Sequence, residues 1–188
     1  MHKLSCHTDP GDLPIERVEA DLTVARGTAA GGARLDVHFR IVADTGQLCL
    51  PALRQGRRTD GLWRHSCFEL FVRAPGAAAY AEVNLAPSGD WAAYRFSAYR
   101  DGLQPIVPMT APAIDAVAAA DMFELRASLR LDELRPGARQ PGTTLLEVAL
   151  AAVIEECSGR LSYWAANHPD PKRPDFHHPG SFVHEVRY

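Results

Sequence analysis

The sequence lacks several features that would each place it in a class of protein. No stretch approaches the roughly 18 consecutive apolar residues of a transmembrane helix, which predicts that the chain does not span a membrane. The N-terminal "MHKLSCHTDPGDLP" has no apolar segment of a secretory signal, and this predicts a cytoplasmic location. A net charge of −3 without a basic stripe argues against nucleic acid as a partner.

Cysteine is scarce, and its spacing carries no recognisable motif. The four cysteines stand far apart, at positions 6, 49, 67 and 157, without a CxxC pair or the spacing of a zinc site. We therefore expect reduced, mostly buried thiols and no cysteine-bound metal.

What the sequence does contain is a regular alternation of apolar and polar residues. In "VEADLTV" (18–24) and "RLDVHFRI" (34–41), every second residue is apolar. This period is typical of antiparallel strands that place one face on a core and the other in water. The "RGTAAGGA" between them supplies the glycines of a hairpin turn.

The same pattern predicts a sheet protein along most of the chain. Further strands are predicted at 66–73, 80–86, 91–99, 122–130, 144–153, 160–166 and 181–187, with shorter ones at 47–53 and 113–119. The only predicted helical turn covers 131–137, although "LLEVALAAVIEE" (145–156) also fits a helix. We predict an all-β fold: one antiparallel β-sandwich of about nine or ten strands, jelly-roll or immunoglobulin-like. It spans residues 15–188 and follows an N-terminal extension, residues 1–14.

The segment "YAEVNLAPSGDWAAYRF" (80–96) is a predicted hairpin with polar residues on one face. A four-residue loop at 87–90 would set Glu82 opposite Arg95 and pair apolar residues on the other side. The polar face would then carry Tyr80, Glu82, Asn84 and Arg95, joined by Glu69 from the preceding strand. Such a face suits either a polar ligand or plain hydration with one surface ion pair.

The closing segment "LSYWAANHPDPKRPDFHHPGSFVHEV" (161–186) concentrates polar side chains in a stretch stiffened by prolines. Three interpretations stay open: a ligand-binding loop, a structural lid, or a site for a divalent metal. Trp164 could stack on a ligand or pack in the core. The polar candidates in this segment are Asn167, His168, Lys172, Asp175 and His177.

Three motifs together resemble a known group of proteins. "LWRHSCFELFV" (62–72), the 80–96 hairpin and "SYWAANHPDPKRPDFHHPGSFV" (162–183) are similar to bacterial DOMON-like β-sandwich proteins. The resemblance covers residues 15–187 and is strongest to the branch related to family-nine carbohydrate-binding modules, sometimes associated with a UDP-N-acetylmuramate dehydrogenase.

This resemblance implies a sandwich that binds a small ligand, with sugar and haem as the two precedents. Trp63 and Glu69 match the tryptophan and glutamate of the family motif. His65 and Ser66 replace acidic residues that often lie between them, which disfavours calcium because calcium requires several oxygen ligands.

The resulting hypothesis is a module that binds a saccharide or a sugar-derived metabolite, with no resident cofactor and with binding favoured over catalysis. Its alternatives are an enzyme that acts on a glycoside through Glu69 and Glu82, a haem module using Met109 or Met122 with a histidine, and a structural or dimerising module. The predicted ligand-binding residues are Trp63, Glu69, Glu82, Asn84, Arg95, Trp164, Asn167, His168, Lys172, Asp175 and His177.

Overall fold

Nearly every regular element of the chain is a β-strand. The computed structural model describes residues 1–8, 11, 13–25, 32–134 and 145–187. Its helix α1, Leu131–Leu134, is a single turn, and no helix within the described ranges has the length and apolar character needed to cross a bilayer. The strands are β1 His2–Cys6, β2 Ile15–Ala25, β3 Arg34–Ala43, β4 Cys67–Arg73, β5 Tyr80–Leu85, β6 Trp91–Phe96, β7 Gln104–Pro105, β8 Ala113–Ala118, β9 Met122–Arg130, β10 Leu145–Glu155, β11 Leu161–Ala165 and β12 His184–Arg187.

The strands form two antiparallel layers that share one edge, as predicted for a sandwich. The back sheet has the order β8-β9-β3-β2, and the front sheet has the order β7-β6-β5-β4-β10-β11, with β12 beside the start of β10. Strand β1 joins the layers, because its first residues pair with β2 and its last two pair with β11. This strand lies within residues 1–14, the predicted N-terminal extension.

The core lies between the two sheets and is built by the period-two alternation. Phe68 of the front sheet packs against Phe39 and Phe123 of the back sheet, with ring centroids 5.1 and 5.6 Å apart. Leu and Val residues of β2, β3, β4 and β10 fill the space around these rings. Burial of each large side chain contributes roughly 1.5–3 kcal/mol, so this layer is the main source of stability.

The front sheet is apolar on its outer face as well. Phe71, Tyr80 and Phe96 form a second buried cluster there. Residues 166–183, here called the closing loop, cover part of this face with Phe176 and Phe182. A sheet with two apolar faces needs such a cover, because otherwise a large hydrophobic patch would face water.

The closing loop is fixed to the sandwich at both ends. Near its start, His168 Nε2 lies 2.8 Å from the carbonyl oxygen of Ser5. Near its end, the guanidinium of Arg73 donates to the carbonyl oxygen of Pro179 (3.1 Å) and lies 4.2 Å from the centre of the Phe182 ring. The loop thus covers the front sheet, as expected of a structural lid, and its interpretation as a ligand-binding loop stays a prediction.

The 80–96 hairpin differs from its prediction by one residue of register. The amide of Ala86 donates to the carbonyl of Asp90 (2.9 Å), so the loop contains three residues and not four. Gly89 permits this shorter loop because its φ of 88° lies in the left-handed region that glycine adopts without strain.

The shift reverses the side of the sheet that Arg95 occupies. Glu82 pairs with Tyr94, and Arg95 pairs with Ala81, so the predicted pairing of Glu82 with Arg95 is wrong. The Arg95 guanidinium instead donates to the carbonyl oxygen of Glu133 at the end of the sandwich (2.8 Å). A slip of one residue moves every side chain of a strand to the opposite face.

The structure also bears on the smaller predictions of secondary structure. Residues 47–53 are not a strand: a 3₁₀ turn, Thr45–Gln47, leads into a single bridge between Leu48 and Glu156. The helical alternative for 145–156 is wrong, because 145–155 form β10 with partners on both sides. The predicted turn at 26–33 falls largely outside the described residues, as do 135–137 of the predicted helical turn.

The cysteines are less buried than predicted. All four are free, but only Cys67 is buried, whereas Cys49 and Cys157 are exposed. These two are the chain neighbours of Leu48 and Glu156, which form an isolated bridge.

Truncation of the ring that joins the two sheets should destabilise the protein strongly. We expect Phe68→Ala to lower the free energy of unfolding by about 3–5 kcal/mol, because it leaves a cavity between Phe39 and Phe123. Val117→Ala, at a half-exposed position of β8, is the control and should change stability by less than about 0.5 kcal/mol. Urea denaturation measures both, and similar losses in the two variants would contradict the assigned core.

Candidate functional site

A cleft opens on the outer face of the front sheet, beside the closing loop. Its volume is about 400 Å³, within the usual range of ligand pockets, roughly 300–1,000 Å³. Strands β4, β5 and β6 form its floor, and the closing loop forms one wall. The lining residues are Trp63, Glu69, Glu82, Tyr94, Phe96, Arg100, Leu103, Val153, Tyr163, Pro174, Phe176 and His177.

Two glutamates from neighbouring strands lie in the floor. Glu69 of β4 stands opposite Asn84 of β5, and Glu82 precedes Asn84 by two residues on the same face. The Asn84 side chain donates to Glu82 Oε1 (2.7 Å) and so fixes the position of that carboxyl group. Glu69 and Glu82 are only 4% and 5% exposed.

Burial makes both carboxyl groups hard to ionise. It raises the pKa of Glu82 to about 7, although the Asn84 hydrogen bond and the Arg100 charge oppose the rise. Burial also raises the pKa of Glu69 well above its ordinary range, and the charge of Glu82 adds to this effect. The pair therefore retains a proton at pH values where an exposed glutamate is ionised.

His177 of the closing loop packs over the floor. Its Nδ1 lies 2.8 Å from the Tyr80 hydroxyl, and its Nε2 lies 3.8 Å from Glu82 Oε2. The ring also contacts Phe71 and Phe96, with centroids 5.1 and 5.2 Å away. Burial, aided by the positive charge of Arg100, lowers the pKa of His177 to about 4, so its imidazole is neutral near pH 7.

Asp175 of the closing loop holds Arg100 at the edge of the cleft. The guanidinium contacts Asp175 Oδ1 through Nε (3.2 Å) and Nη2 (2.8 Å), and the Tyr99 hydroxyl donates to the other carboxylate oxygen. Although burial opposes it, these hydrogen bonds hold the pKa of Asp175 below its ordinary range. The ion pair connects the closing loop to the turn after β6.

Aromatic rings form the remaining walls. Trp63 follows Gly61, whose φ of 79° turns the chain at the start of a 3₁₀ turn. The indole is 40% exposed and stands edge-on to Tyr94, with ring centroids 6.1 Å apart. Tyr94 is itself oriented by a hydrogen bond from its hydroxyl to Asp60 (2.6 Å). The rim thus offers accessible aromatic surface above an acidic floor.

The structure brings part of the predicted residue set together. Trp63, Glu69, Glu82 and His177 line the cleft, while Asn84 and Asp175 lie behind it and orient its side chains.

The other predicted residues lie away from the cleft. Trp164 is buried between the sheets, with its Nε1 donating to Ser162 (2.9 Å), and Arg95 reaches the end of the sandwich. Asn167 donates to the carbonyl oxygen of Gly180 within the closing loop (2.8 Å). His168 is held by Ser5, and the exposed Lys172 uses its backbone amide to bond Asp170 (2.8 Å).

Several lining residues were not predicted from the sequence. Tyr94 and Phe96 would have been found with the correct hairpin register, which places them on the same face as Glu82. Tyr163 alternates with Trp164, so its side chain belongs to the outer face for the same reason. No sequence pattern indicates that Arg100 lines the cleft, because its position depends on a turn with an unusual φ of 53° at that residue.

The described residues do not assemble a metal centre. Within them, no group of three or more histidine, cysteine, aspartate or glutamate side chains has a geometry that could hold a metal ion. The histidines of the closing loop instead contact protein groups, as His168 and His177 do.

Comparison with known proteins identifies the fold. No protein-family model matches the chain, and no curated protein matches its sequence. A candidate carbohydrate-binding protein from Bacteroides uniformis has a similar structure, with a TM-score of 0.61 and 14% identity over 91% of this chain and 78% of that protein. A family-nine carbohydrate-binding module from Caldicellulosiruptor kristjanssonii, solved with glucose, has a TM-score of 0.50 and 11% identity over 90% of this chain and 76% of that module.

These likenesses confirm at the level of fold the resemblance to family-nine carbohydrate-binding modules that the sequence motifs indicate. The wider DOMON-like assignment stays a prediction.

The raised pKa of Glu82 should appear in the pH dependence of stability. Between about pH 5 and pH 7 the folded protein retains a proton on Glu82 that the unfolded chain has lost, so this group contributes less stability as pH rises. In Glu82→Gln, which cannot ionise, the free energy of unfolding relative to wild type should rise across that interval by on the order of 2 kcal/mol. Urea denaturation at several pH values measures the difference.

The matched control is Glu185→Gln, at an exposed position of β12. We expect its stability to follow the wild-type pH profile. If the free energy of unfolding of Glu82→Gln also changes with pH as that of wild type does, Glu82 is not the buried, proton-retaining group described above.

Proposed function

We propose that the protein binds a saccharide in the cleft on the outer face of the front sheet. The observation that carries this proposal is the half-exposed Trp63 and its aromatic neighbours above a floor with Glu69 and Glu82. A sugar ring has apolar C–H faces and a polar edge of hydroxyl groups. Aromatic walls can pack against the C–H faces, and carboxyl oxygens can accept hydrogen bonds from the hydroxyl groups.

Each lining group has a role in this proposal. Trp63 and Tyr94 would contact the faces of the sugar ring, while Glu69 and Glu82 would accept hydrogen bonds from its hydroxyl groups. The part of Arg100 that stays exposed beside Asp175 would donate to a sugar oxygen. Glu69, Glu82 and Tyr94 stand on strands, and Asp175 holds Arg100, so little ordering of these groups is needed on binding.

The fold comparisons support the same proposal. Both structures named above are carbohydrate-binding or candidate carbohydrate-binding proteins, and one was solved with glucose. A cleft of about 400 Å³ would accept a sugar of one or a few rings. We therefore take a hexose as the first ligand to test.

Glycoside hydrolysis is a second candidate, supported by the pKa of about 7 for Glu82. General acids of glycosidases carry raised pKa values, and such enzymes use a pair of carboxyl groups. We expect this function to appear as release of nitrophenol from aryl glycosides that is abolished in both Glu69→Gln and Glu82→Gln. If folded protein binds the same sugars but does not hydrolyse the aryl glycosides, the hydrolase function is rejected and sugar binding remains as the proposed function.

Binding should depend on Trp63. Isothermal titration with glucose and a panel of hexoses and disaccharides should give saturable heat, and Trp63→Ala should weaken the affinity at least about tenfold.

Trp63 is also the exposed tryptophan of the three, since Trp91 and Trp164 are 7% and 4% exposed. A bound sugar should therefore reduce the quenching of tryptophan fluorescence by acrylamide.

Trp91→Phe is the matched control, because Trp91 packs between the sheets. It should lower stability while sugar affinity stays within about twofold of wild type. The proposal would be rejected if no saccharide gave heat or protection with correctly folded protein.

A further inference from the structure

The two carboxyl groups in the floor differ in how they are satisfied. Glu82 accepts a hydrogen bond from Asn84, and His177 stands 3.8 Å from its other oxygen. Glu69 is 4% exposed and forms no hydrogen bond or ion pair with any residue that the structure describes. The residue is buried, but its carboxyl group lines a cleft that a ligand can enter, where a donor of the ligand can supply the hydrogen bond that the protein does not.

The cleft lining holds no cation that is free to neutralise this pair. Among the described lining residues Arg100 is the only arginine or lysine, and two of its nitrogens contact Asp175. His177 is neutral near pH 7 because burial lowers its pKa. Cys67, next to Asn84, is a buried thiol whose raised pKa keeps it neutral as well. Asp175 holds Arg100 at the edge of the cleft, so Arg100 acts on Glu69 and Glu82 through its charge and forms no hydrogen bond with either.

Positions on the sheet place the two acidic groups within reach of one ligand atom. Glu69 is directly opposite Asn84, and Glu82 is the diagonal neighbour on the same face. Diagonal neighbours in an antiparallel pair lie roughly 7–8 Å apart at their backbones, a span that two glutamate side chains can close around a small group.

A protonated amine is the group that this arrangement fits best. It carries three N–H donors and one positive charge, so it satisfies the oxygens of both carboxyl groups and offsets their repulsion. The aromatic rings of Trp63 and Tyr94 add a favourable environment for a cation. A hydroxyl group supplies one donor and no charge, and an anionic sugar would be repelled.

We propose that the cleft binds an amino sugar, a saccharide whose protonated primary amine lies between the carboxyl groups of Glu69 and Glu82. This inference rests on the saccharide site proposed above and names the class of sugar. The amine takes the place of the proton that burial keeps on the acidic pair in the free protein. Binding of an amino sugar therefore releases protons to the solvent near neutral pH, whereas binding of a neutral sugar does not.

Matched ligands test the charge alone. Isothermal titration near neutral pH should compare glucosamine, galactosamine and mannosamine with their N-acetyl forms and with the parent hexoses. At least one amino sugar should bind about tenfold or more tightly than both of its neutral counterparts, because a charged hydrogen bond replaces a neutral one. Repeating the titration in buffers with different enthalpies of ionisation should reveal proton release for the amino sugar only.

Glu69→Gln tests whether the preference arises in the floor of the cleft. It should lower the affinity for the amino sugar much more than the affinity for the parent hexose, so that most of the preference for the amine is lost, and Glu82→Gln should act in the same direction. Glu185→Gln, exposed on β12, should bind all sugars as wild type does. Circular dichroism of each variant verifies folding, and if one glutamine variant fails to fold, the other decides.

The outcomes separate the two proposals. Hexoses that bind as tightly as hexosamines, or a preference that survives in both glutamine variants, would overturn the amino-sugar inference and leave saccharide binding intact. No binding of any sugar in the panel by folded protein would overturn both. A preference for amino sugars that is lost in the glutamine variants, with proton release in wild type, would establish the inference.

Discussion

The structure depends on a front sheet that is apolar on both faces. One face packs on the back sheet through rings such as Phe68, and the other carries Phe71 and Phe96. The second face cannot be left in water, and the closing loop covers part of it with Phe176 and Phe182. The cover is incomplete over β4, β5 and β6. The cleft is therefore the remaining part of an interior surface, which explains why it combines aromatic walls with almost complete burial of Glu69 and Glu82.

The electrostatics of the site follow from the same cover. The pKa of Glu82 is raised because the loop and the surrounding rings exclude water, and the pKa of His177 is lowered for the same reason. The two shifts favour the uncharged forms of both groups, so His177 packs over Glu82 without burying an ion pair between them. The neutral forms of Glu82 and His177 and the cover over the sheet thus have one physical cause, the exclusion of water.

Sequence reasoning predicted the scaffold better than the site. The alternation of apolar and polar residues is enough to predict strands with one solvent-exposed face, such as β2 and β3. The family motif indicates two residues that line the cleft, Trp63 and Glu69. The hairpin register did not follow, because it depends on whether three or four residues form the loop at Gly89, and this choice decided the faces of Tyr94 and Arg95. The polar residues next to Trp164 in the chain favour a role in ligand binding, but the alternation of side chains along β11 points Trp164 into the core. Arg100 reaches the cleft through a turn that no periodic pattern encodes.

The ion pair between Arg100 and Asp175 determines what the cleft can recognise. An uncommitted arginine beside two buried glutamates would form salt bridges with them, and the floor would then be satisfied by the protein itself. Asp175, with the help of Tyr99, binds the guanidinium from the other side and is almost fully buried in doing so. Arg100 consequently closes the edge of the cleft without a hydrogen bond to Glu69, and only its charge favours the ionised form of that group. The closing loop supplies the carboxylate that occupies Arg100, and by that contact it leaves the acidic floor free to select a ligand by charge.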